Sequence, residues 1–163
     1  MYLLCAQIDY HIYITMDNIS IYLSGYGIRP SVQRIAIMRY LLNNFTHPTA
    51  DEVYESLRSN IPTLSKTTVY NTLKLFVENG AAVYVGIDEK NARFDGDVSP
   101  HAHFRCKTCG GISDFPLNTE LLIPKNFKGD VEDTYFYFVG ICEKCKNKKA
   151  LMFDNKYIHT SVN

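Results

Sequence analysis

Nine side chains in this sequence have the types and spacing to hold metal ions, and they form two chemically different sets. The first is four thiols in two Cys-x-x-Cys pairs, Cys106/Cys109 and Cys142/Cys145. Glycine flanks each pair: Gly110-Gly111 follow Cys109, and Gly140-Ile141 precede Cys142. Two thiolates on one tight turn can reach the same tetrahedral Zn²⁺, and a second such turn completes a Cys₄ shell. The gap between the pairs is longer than in a compact zinc ribbon, so the metal would pin two distant strands. The same spacing also suits a redox dithiol, the signature of a thiol–disulfide oxidoreductase, which a tight and inert zinc would argue against.

The second set is His47, Asp95, His101, His103 and Asp114. His101 and His103 alternate along an extended segment, so both imidazoles face the same way. None of the five is a thiol, and a nitrogen/oxygen shell suits Fe²⁺ or Mn²⁺ where thiolates take Zn²⁺. A zinc hydrolase would need an open metal position beside a general base. Five ligands more than fill a shell, which disfavours an enzyme.

The elements that must position these residues follow from caps and periodicity. Ser31 caps a helix in which Val32, Ile35, Met38, Leu41, Leu42 and Phe45 recur at helical spacing. Thr49 caps a second helix, Ala50 to Ser59, and Pro62 breaks the chain after it. Ser65 caps a third that runs to Asn79 and stops at Gly80. In the third, Val69, Leu73, Phe76 and Val77 make a core stripe, while Thr67, Tyr70, Asn71, Lys74 and Glu78 share the other face. Hydroxyls, an amide and cations with little acid are the groups that bond phosphates and base edges in a major groove, although a plain solvated face has a similar pattern. Two β-rich runs, Ala82–Ile87 and Ala92–Asp95, read as the hairpin wing of a helix-turn-helix variant. Residues 97–100 form a polar, proline-ended hinge. Beyond it, His103–Cys106 and Ile112–Phe115 read as strands around the first cysteine turn. A short helix is expected from Asn118, limited by Pro124, and Val131 to Ile141 is the clearest strand, apolar enough for a dimer interface. The tail from Lys146 holds at most a short helix.

The expected organisation is therefore an extension over residues 1–15, a winged helix-turn-helix domain over 16–96, the hinge, and a metal-bound α/β dimerisation domain over 101–163, making an α+β fold. Residues 1–15 are apolar but interrupted by Gln7, Asp9 and His11, with no basic start and no small-residue cleavage site. They are too short and broken to span a membrane, and Met16 is the expected natural start. The formal net charge is zero, and Lys/Arg equal Asp/Glu in number over residues 17–96. Non-specific phosphate attraction should then be modest, so tight DNA binding calls for a dimer on a two-fold site. Cys5 is the sole cysteine outside the pairs, which suits a reducing cytoplasm rather than a disulfide framework.

The stretches GIRPSVQR (27–34), HPTADEVY (47–54), LSKTTVYNTLKLF (64–76), RFDG (93–96), HAHFRCKTCG (101–110), GISDF (111–115) and GICEKC (140–145) together resemble the ferric uptake regulator family, and more narrowly its peroxide-responsive branch. The resemblance runs from about Ile19 to Lys149. It implies a homodimeric repressor, not an enzyme, in which a winged-helix domain is hinged to a dimerisation domain and binds palindromic operator DNA. It implies structural Zn²⁺ on Cys106, Cys109, Cys142 and Cys145, and regulatory Fe²⁺ or Mn²⁺ on His47, Asp95, His101, His103 and Asp114. Contacts to DNA would come from Arg29, Ser65, Lys66, Thr67, Thr68, Tyr70, Asn71 and Lys74. Asp114 and Asn71 stand where iron sensors usually carry glutamate and arginine. In the peroxide branch, bound Fe²⁺ reacts with H₂O₂ and a ligating histidine, His47 or His101, is oxidised, which lifts repression. The alternative is an iron- or zinc-responsive repressor of metal-uptake genes in the same family. The segment between Phe115 and Cys142 is shorter than is usual for the family.

Overall fold

A computed structural model describes residues 16–88, 91–117, 128–130 and 134–148. They form four helices, a two-stranded hairpin and a three-stranded sheet, in that order along the chain. The extension 1–15 and the helix expected from Asn118 lie outside the described residues.

Helices α1 (Met16–Gly25), α2 (Val32–Asn43), α3 (Ala50–Leu57) and α4 (Lys66–Glu78) enclose the main core. Ser31, Thr49 and Ser65 are the N-caps of α2, α3 and α4, as expected, each accepting from the backbone N–H three residues on. Thr49 and Glu52 complete a reciprocal capping box. Ile19 and Leu23 of α1, Ile35, Ile37, Met38 and Leu41 of α2, Val53 of α3, and Val69, Leu73 and Phe76 of α4 are buried together. Each such side chain contributes about 1.5–3 kcal/mol through the apolar surface it removes from water.

Three expectations need correction here. Helix α1 was not foreseen; it holds its place through Ile19 and Leu23 and through Tyr22, whose hydroxyl donates to the Ala81 carbonyl at 3.0 Å. Val32 and Phe45 do not belong to the α2 core stripe: they are 65% and 70% exposed. Val32 is the first residue of the helix, and Asn44 leaves it with extended backbone, so Phe45 is out of helical phase. Val77 is only half-buried.

The hairpin is shorter than the two runs suggested. Strands β1 (Val83–Val85) and β2 (Arg93–Asp95) pair antiparallel, with Val83 opposite Asp95. The loop before α3 is tied to β2: Phe94 N–H donates to the Pro48 carbonyl at 3.0 Å, and Thr49 bridges to Arg93.

The second sheet has the order β4-β3-β5. β3 (His101–Cys106) runs antiparallel to β4 (Ile112–Pro116) and parallel to β5 (Tyr137–Gly140). The strand expected over 131–141 pairs with β3 only from Tyr137, opposite His103, while the first two residues of β3 pair with β4 alone; Phe136 contributes one carbonyl to His103 N–H at 2.9 Å, and residues 131–133 are not described. Residues 143–148 are helical after the second cysteine pair begins.

Gly96 is where the hairpin meets α2. A Cβ there would lie 3.1 Å from Leu41 Cβ and 3.2 Å from the Leu41 backbone, so only glycine lets the residue after Asp95 press onto the helix. Gly96→Ala is therefore expected to destabilise the protein by about 1–3 kcal/mol, in the range for overpacking a filled core. Urea denaturation followed by circular dichroism checks this; an unchanged midpoint would show that α2 yields without cost.

Candidate metal centres

Parallel pairing of β3 with β5 brings the two cysteine pairs together. The register sets Cys106 beside Gly140 at the same end of both strands, so Cys109 and Cys142 fall just beyond. All four Sγ atoms lie within 4.8 Å of one another, with Cys109 and Cys142 Sγ 3.9 Å apart. A Zn–S bond of about 2.3 Å gives a tetrahedral edge of about 3.8 Å, so the spacing is that of a closed zinc shell, and no two sulfurs are bonded. The first turn is held by Cys106 N–H to the Gly111 carbonyl and Gly110 N–H to the Cys106 carbonyl, both 2.9 Å. Gly110 has φ 72°, the left-handed backbone that closes this turn.

The backbone already favours thiolate here. Cys142 N–H and Thr108 N–H point at Cys106 Sγ, at 3.3 and 3.4 Å. The Cys142 bond is the leading reason that the Cys106 thiol titrates at about 5. Cys145 is pushed the other way, to about 12, first by its hydrogen bond to Cys142 and then by burial. A first negative charge therefore settles on Cys106, and four thiolates together need a cation.

The second centre is assembled from four separate segments. His47 comes from the α2–α3 loop, Asp95 from the end of β2, His101 and His103 from β3, and Asp114 from β4, where it pairs directly with His103. One donor atom from each lies within 4.8 Å of every other. Asp95 Oδ2 is 3.2 Å from His47 Nε2, 3.0 Å from His101 Nε2 and 3.4 Å from His103 Nε2. Asp114 Oδ1 is 2.9 Å from His47 Nε2 and 3.8 Å from each of the other two. His47, Asp95 and His103 are buried, and Asp114 is the exposed member. His47 adopts φ 51°, rare for a residue with a Cβ; Arg93 holds it there by donating from Nη1 to the His47 carbonyl at 3.0 Å.

The donors fit a cation better than one another. His101 Nδ1 lies 2.8 Å from the Ser99 carbonyl, which can only accept, so Nδ1 carries the hydrogen and Nε2 offers a lone pair. That lone pair faces His103 Nε2 at 3.0 Å. Both His47 ring nitrogens are buried without a well-formed hydrogen bond, even though Nε2 is close to two carboxylates. Nitrogen and oxygen lone pairs converging on one point suit Fe²⁺ or Mn²⁺. Without a metal, a proton does the neutralising. Burial acts to lower the pKa of His47, but the carboxylates of Asp114 and Asp95 outweigh it and raise the group to about 9. Burial likewise opposes the ionised form of Asp95, and the imidazoles of His103 and His47 beside it, with the Asp97 N–H, outweigh burial and hold it well below the usual carboxylate range.

On the surface of α4, Thr67, Tyr70, Asn71, Lys74 and Glu78 are exposed on one face, as expected. Ser65 and Thr68 bond each other at 2.8 Å as part of the cap, and Lys66 pairs with Asp51 of α3 at 2.6 Å. That pair is exposed and worth little in water, so Lys66 can be released to a phosphate. Arg29 is exposed in the α1–α2 loop.

Sequence reasoning passed over several residues that support the second centre. Asp88, buried, takes Arg93 Nε at 3.2 Å and approaches Arg105 Nη2 of β3 at 3.8 Å. Tyr137 of β5 lies against the His103 ring, centroids 5.9 Å apart, and its hydroxyl accepts from Gly86 N–H at 3.0 Å. Nothing in composition marks such cross-chain pairs. Asp97 and Ser99 did carry a signal, the Asp-x-Ser spacing of a side-chain-closed turn.

A helical bundle with an exposed helix face, a hairpin wing and a thiol-bearing mixed sheet define a winged-helix metal-binding regulator. Residues 25–129 match the model of the Ferric uptake regulator family, and the chain belongs to that family. The peroxide-responsive repressor PerR of Staphylococcus aureus (strain Mu50 / ATCC 700699) is 38% identical over 126 residues, covering 75% of this chain and 85% of that protein. Among solved structures, the ferric uptake regulator Fur of Helicobacter pylori superposes with a TM-score of 0.64 at 20% identity, over 81% of this chain and 94% of that one. The ferric uptake regulator from Pseudomonas aeruginosa with manganese superposes with a TM-score of 0.62 at 22% identity, over 76% and 97%. Both share the fold. Among the described residues, no helix is long and apolar enough to cross a membrane.

Two predictions follow from the geometry. His47 in the metal-free fold titrates near 9 against about 6.5 in an unfolded chain. Its stabilising charge is thus fully present below about 6.5 and lost as the pH rises through 9. Between those values a metal must displace this proton, so Mn²⁺ affinity should rise with pH by about tenfold per unit for one proton released. Calorimetry in buffers of different ionisation enthalpy reads the proton directly, and a flat profile from pH 7 to 9 would count against a protonated His47. Stripping zinc, or Cys106→Ser, should unfold the β4-β3-β5 sheet while the helices persist, visible as lost near-ultraviolet signal with retained helical circular dichroism.

Proposed function

We propose that this chain is a metal-dependent DNA-binding transcriptional repressor that senses hydrogen peroxide and derepresses peroxide-defence genes. The observation that carries the reading is the second centre: five nitrogen and oxygen donors, from both the winged-helix part and the β4-β3-β5 sheet, converge within 4.8 Å. Residues 16–96 act as the DNA-binding domain, 97–100 as the hinge, and 101–163 as the dimerisation domain. Coordination draws His47 and Asp95 toward His101, His103 and Asp114, and so favours one arrangement of the two domains over all others. Cys106, Cys109, Cys142 and Cys145 hold structural Zn²⁺ and keep β3 and β5 in register.

His47, Asp95, His101, His103 and Asp114 would hold Fe²⁺ or Mn²⁺; Fe²⁺ there would supply one-electron activation of H₂O₂, and Mn²⁺ coordination alone. His47 and His101 are the side chains oxidised, and an oxidised imidazole no longer donates the lone pair that joins the two domains. The 38% identity to a peroxide-responsive repressor supports this branch over an iron- or zinc-responsive one.

Thr67, Tyr70, Asn71 and Lys74 face the operator from α4, with Ser65, Lys66 and Thr68 at its start and Arg29 reaching the minor groove. With balanced charge over 17–96, affinity comes from two copies on a palindromic site. The edge strand β5 exposes Tyr137, Phe138 and Val139, followed by Ile141, and a second copy covering it would complete the homodimer. Unbonded thiols suit a cytoplasmic setting.

Treating the Fe²⁺-loaded protein with micromolar H₂O₂ should add one oxygen to peptides containing His47 or His101 and abolish binding to operator DNA, while the Mn²⁺-loaded protein keeps both its mass and its binding. Stoichiometric Fe²⁺ loading with neither change would exclude peroxide sensing and leave an iron-responsive repressor.

A further inference from the structure

We propose that Asp97 is a positioning residue of the second metal centre, fixing the ring of His101 in its metal-binding tautomer through the backbone of Ser99. This rests on the reading of His47, Asp95, His101, His103 and Asp114 as a metal site. From Asp95 to His101 every second residue bonds the next. Asp97 N–H donates to Asp95 Oδ1 at 2.9 Å. Asp97 Oδ1 accepts from Ser99 N–H at 2.8 Å and from the Ser99 hydroxyl at 2.6 Å. The Ser99 carbonyl accepts from His101 Nδ1 at 2.8 Å.

Each bond has a separate consequence. Occupying Asp95 Oδ1 leaves Oδ2 as the oxygen that meets the three imidazoles. Locking Ser99 aims its carbonyl at Nδ1, which puts the only hydrogen of a neutral His101 on the far side of the ring. Nε2 is then a lone pair before any metal arrives. Supporting bonds of this kind typically change metal affinity by about 10–100-fold when removed. Asp97 itself touches no donor atom of the centre, since its carboxylate is spent on Ser99. The segment is the hinge, so the same turn that joins the domains presets a ligand from each: Asp95 through the Asp97 N–H, His101 through Ser99. The role needs an acceptor at Oδ1 and not a charge. Asparagine should therefore serve and alanine should not.

The test uses the full zinc-loaded chain. In metal-free wild-type protein at mildly alkaline pH, ¹⁵N NMR of the imidazoles should find His101 as the Nδ1–H tautomer, and calorimetry with Mn²⁺ should give one regulatory site that His47→Ala abolishes. Asp97→Ala should mix the His101 tautomers and weaken Mn²⁺ by about tenfold or more, with zinc content and melting temperature retained. Asp97→Asn should restore both readouts. An Nε2–H tautomer in the wild type overturns the proposal whether or not any variant folds. So does an Asp97→Ala variant with wild-type Mn²⁺ affinity, or an Asp97→Asn variant as weak as alanine, which would make the charge the cause. Absence of Mn²⁺ binding in the wild type would instead refute the metal-site reading, and the tautomer would still judge Asp97.

Discussion

Lone pairs that point at one another repel, and this chain aims five of them at a common centre. Asp95 Oδ2 sits within 3.4 Å of three imidazole nitrogens, and Asp114 Oδ1 adds a second negative oxygen. Such an arrangement survives only when something positive occupies its middle. In the metal-free protein that charge is the proton on His47, which two carboxylates retain against the effect of burial. Much of the surrounding structure can be understood as the apparatus that keeps the donors from turning away: the left-handed backbone at His47, the Arg93 bond to its carbonyl, the close approach at Gly96 and the bonded hinge.

The two metal centres are mechanically linked through one short strand. β3 carries His101 and His103 toward its start and Cys106 at its end. Its neighbours β4 and β5 bring Asp114 to the imidazole centre and Cys142 toward the thiol centre. Cys106 lies three steps along the strand from His103, about 10 Å of extended chain. The thiol centre and the imidazole centre therefore share a frame but not a ligand. Soft sulfur donors suit Zn²⁺, whereas the nitrogen and oxygen donors, one of them exposed at Asp114, suit Fe²⁺ or Mn²⁺.

Both donor sets were legible in the sequence because their chemistry is local: Cys-x-x-Cys and His-x-His each encode a turn or an alternation. The caps at Ser31, Thr49 and Ser65 were equally plain, since each needs only a side-chain oxygen and a backbone N–H three residues on. What failed depends on partners far along the chain. Phe45 continues an apolar period that the backbone abandons at Asn44, and α1 earns its helix from contacts with residues such as Ala81. Val131 to Ile141 has strand character throughout, yet its ladder with β3 begins only at Tyr137, and composition does not encode where a distant partner comes into register. Tyr137 and Asp88 act across the fold, with nothing in their neighbours to mark them. Asp97 was readable as a turn residue, but its reach to His101 appears only when the turn is built.

The parallel pairing of β3 with β5 also governs when the centre can come into being. All five nitrogen and oxygen donors have been synthesised by residue 114, but the strand that braces His103 lies at 137–140, and the thiols that clamp it lie at 142 and 145. A growing chain thus carries the complete ligand set for some time before it has the scaffold to hold it. On the proposed reading of these five donors as a metal site, the complete ligand set precedes in the chain the strand and thiols that would brace it.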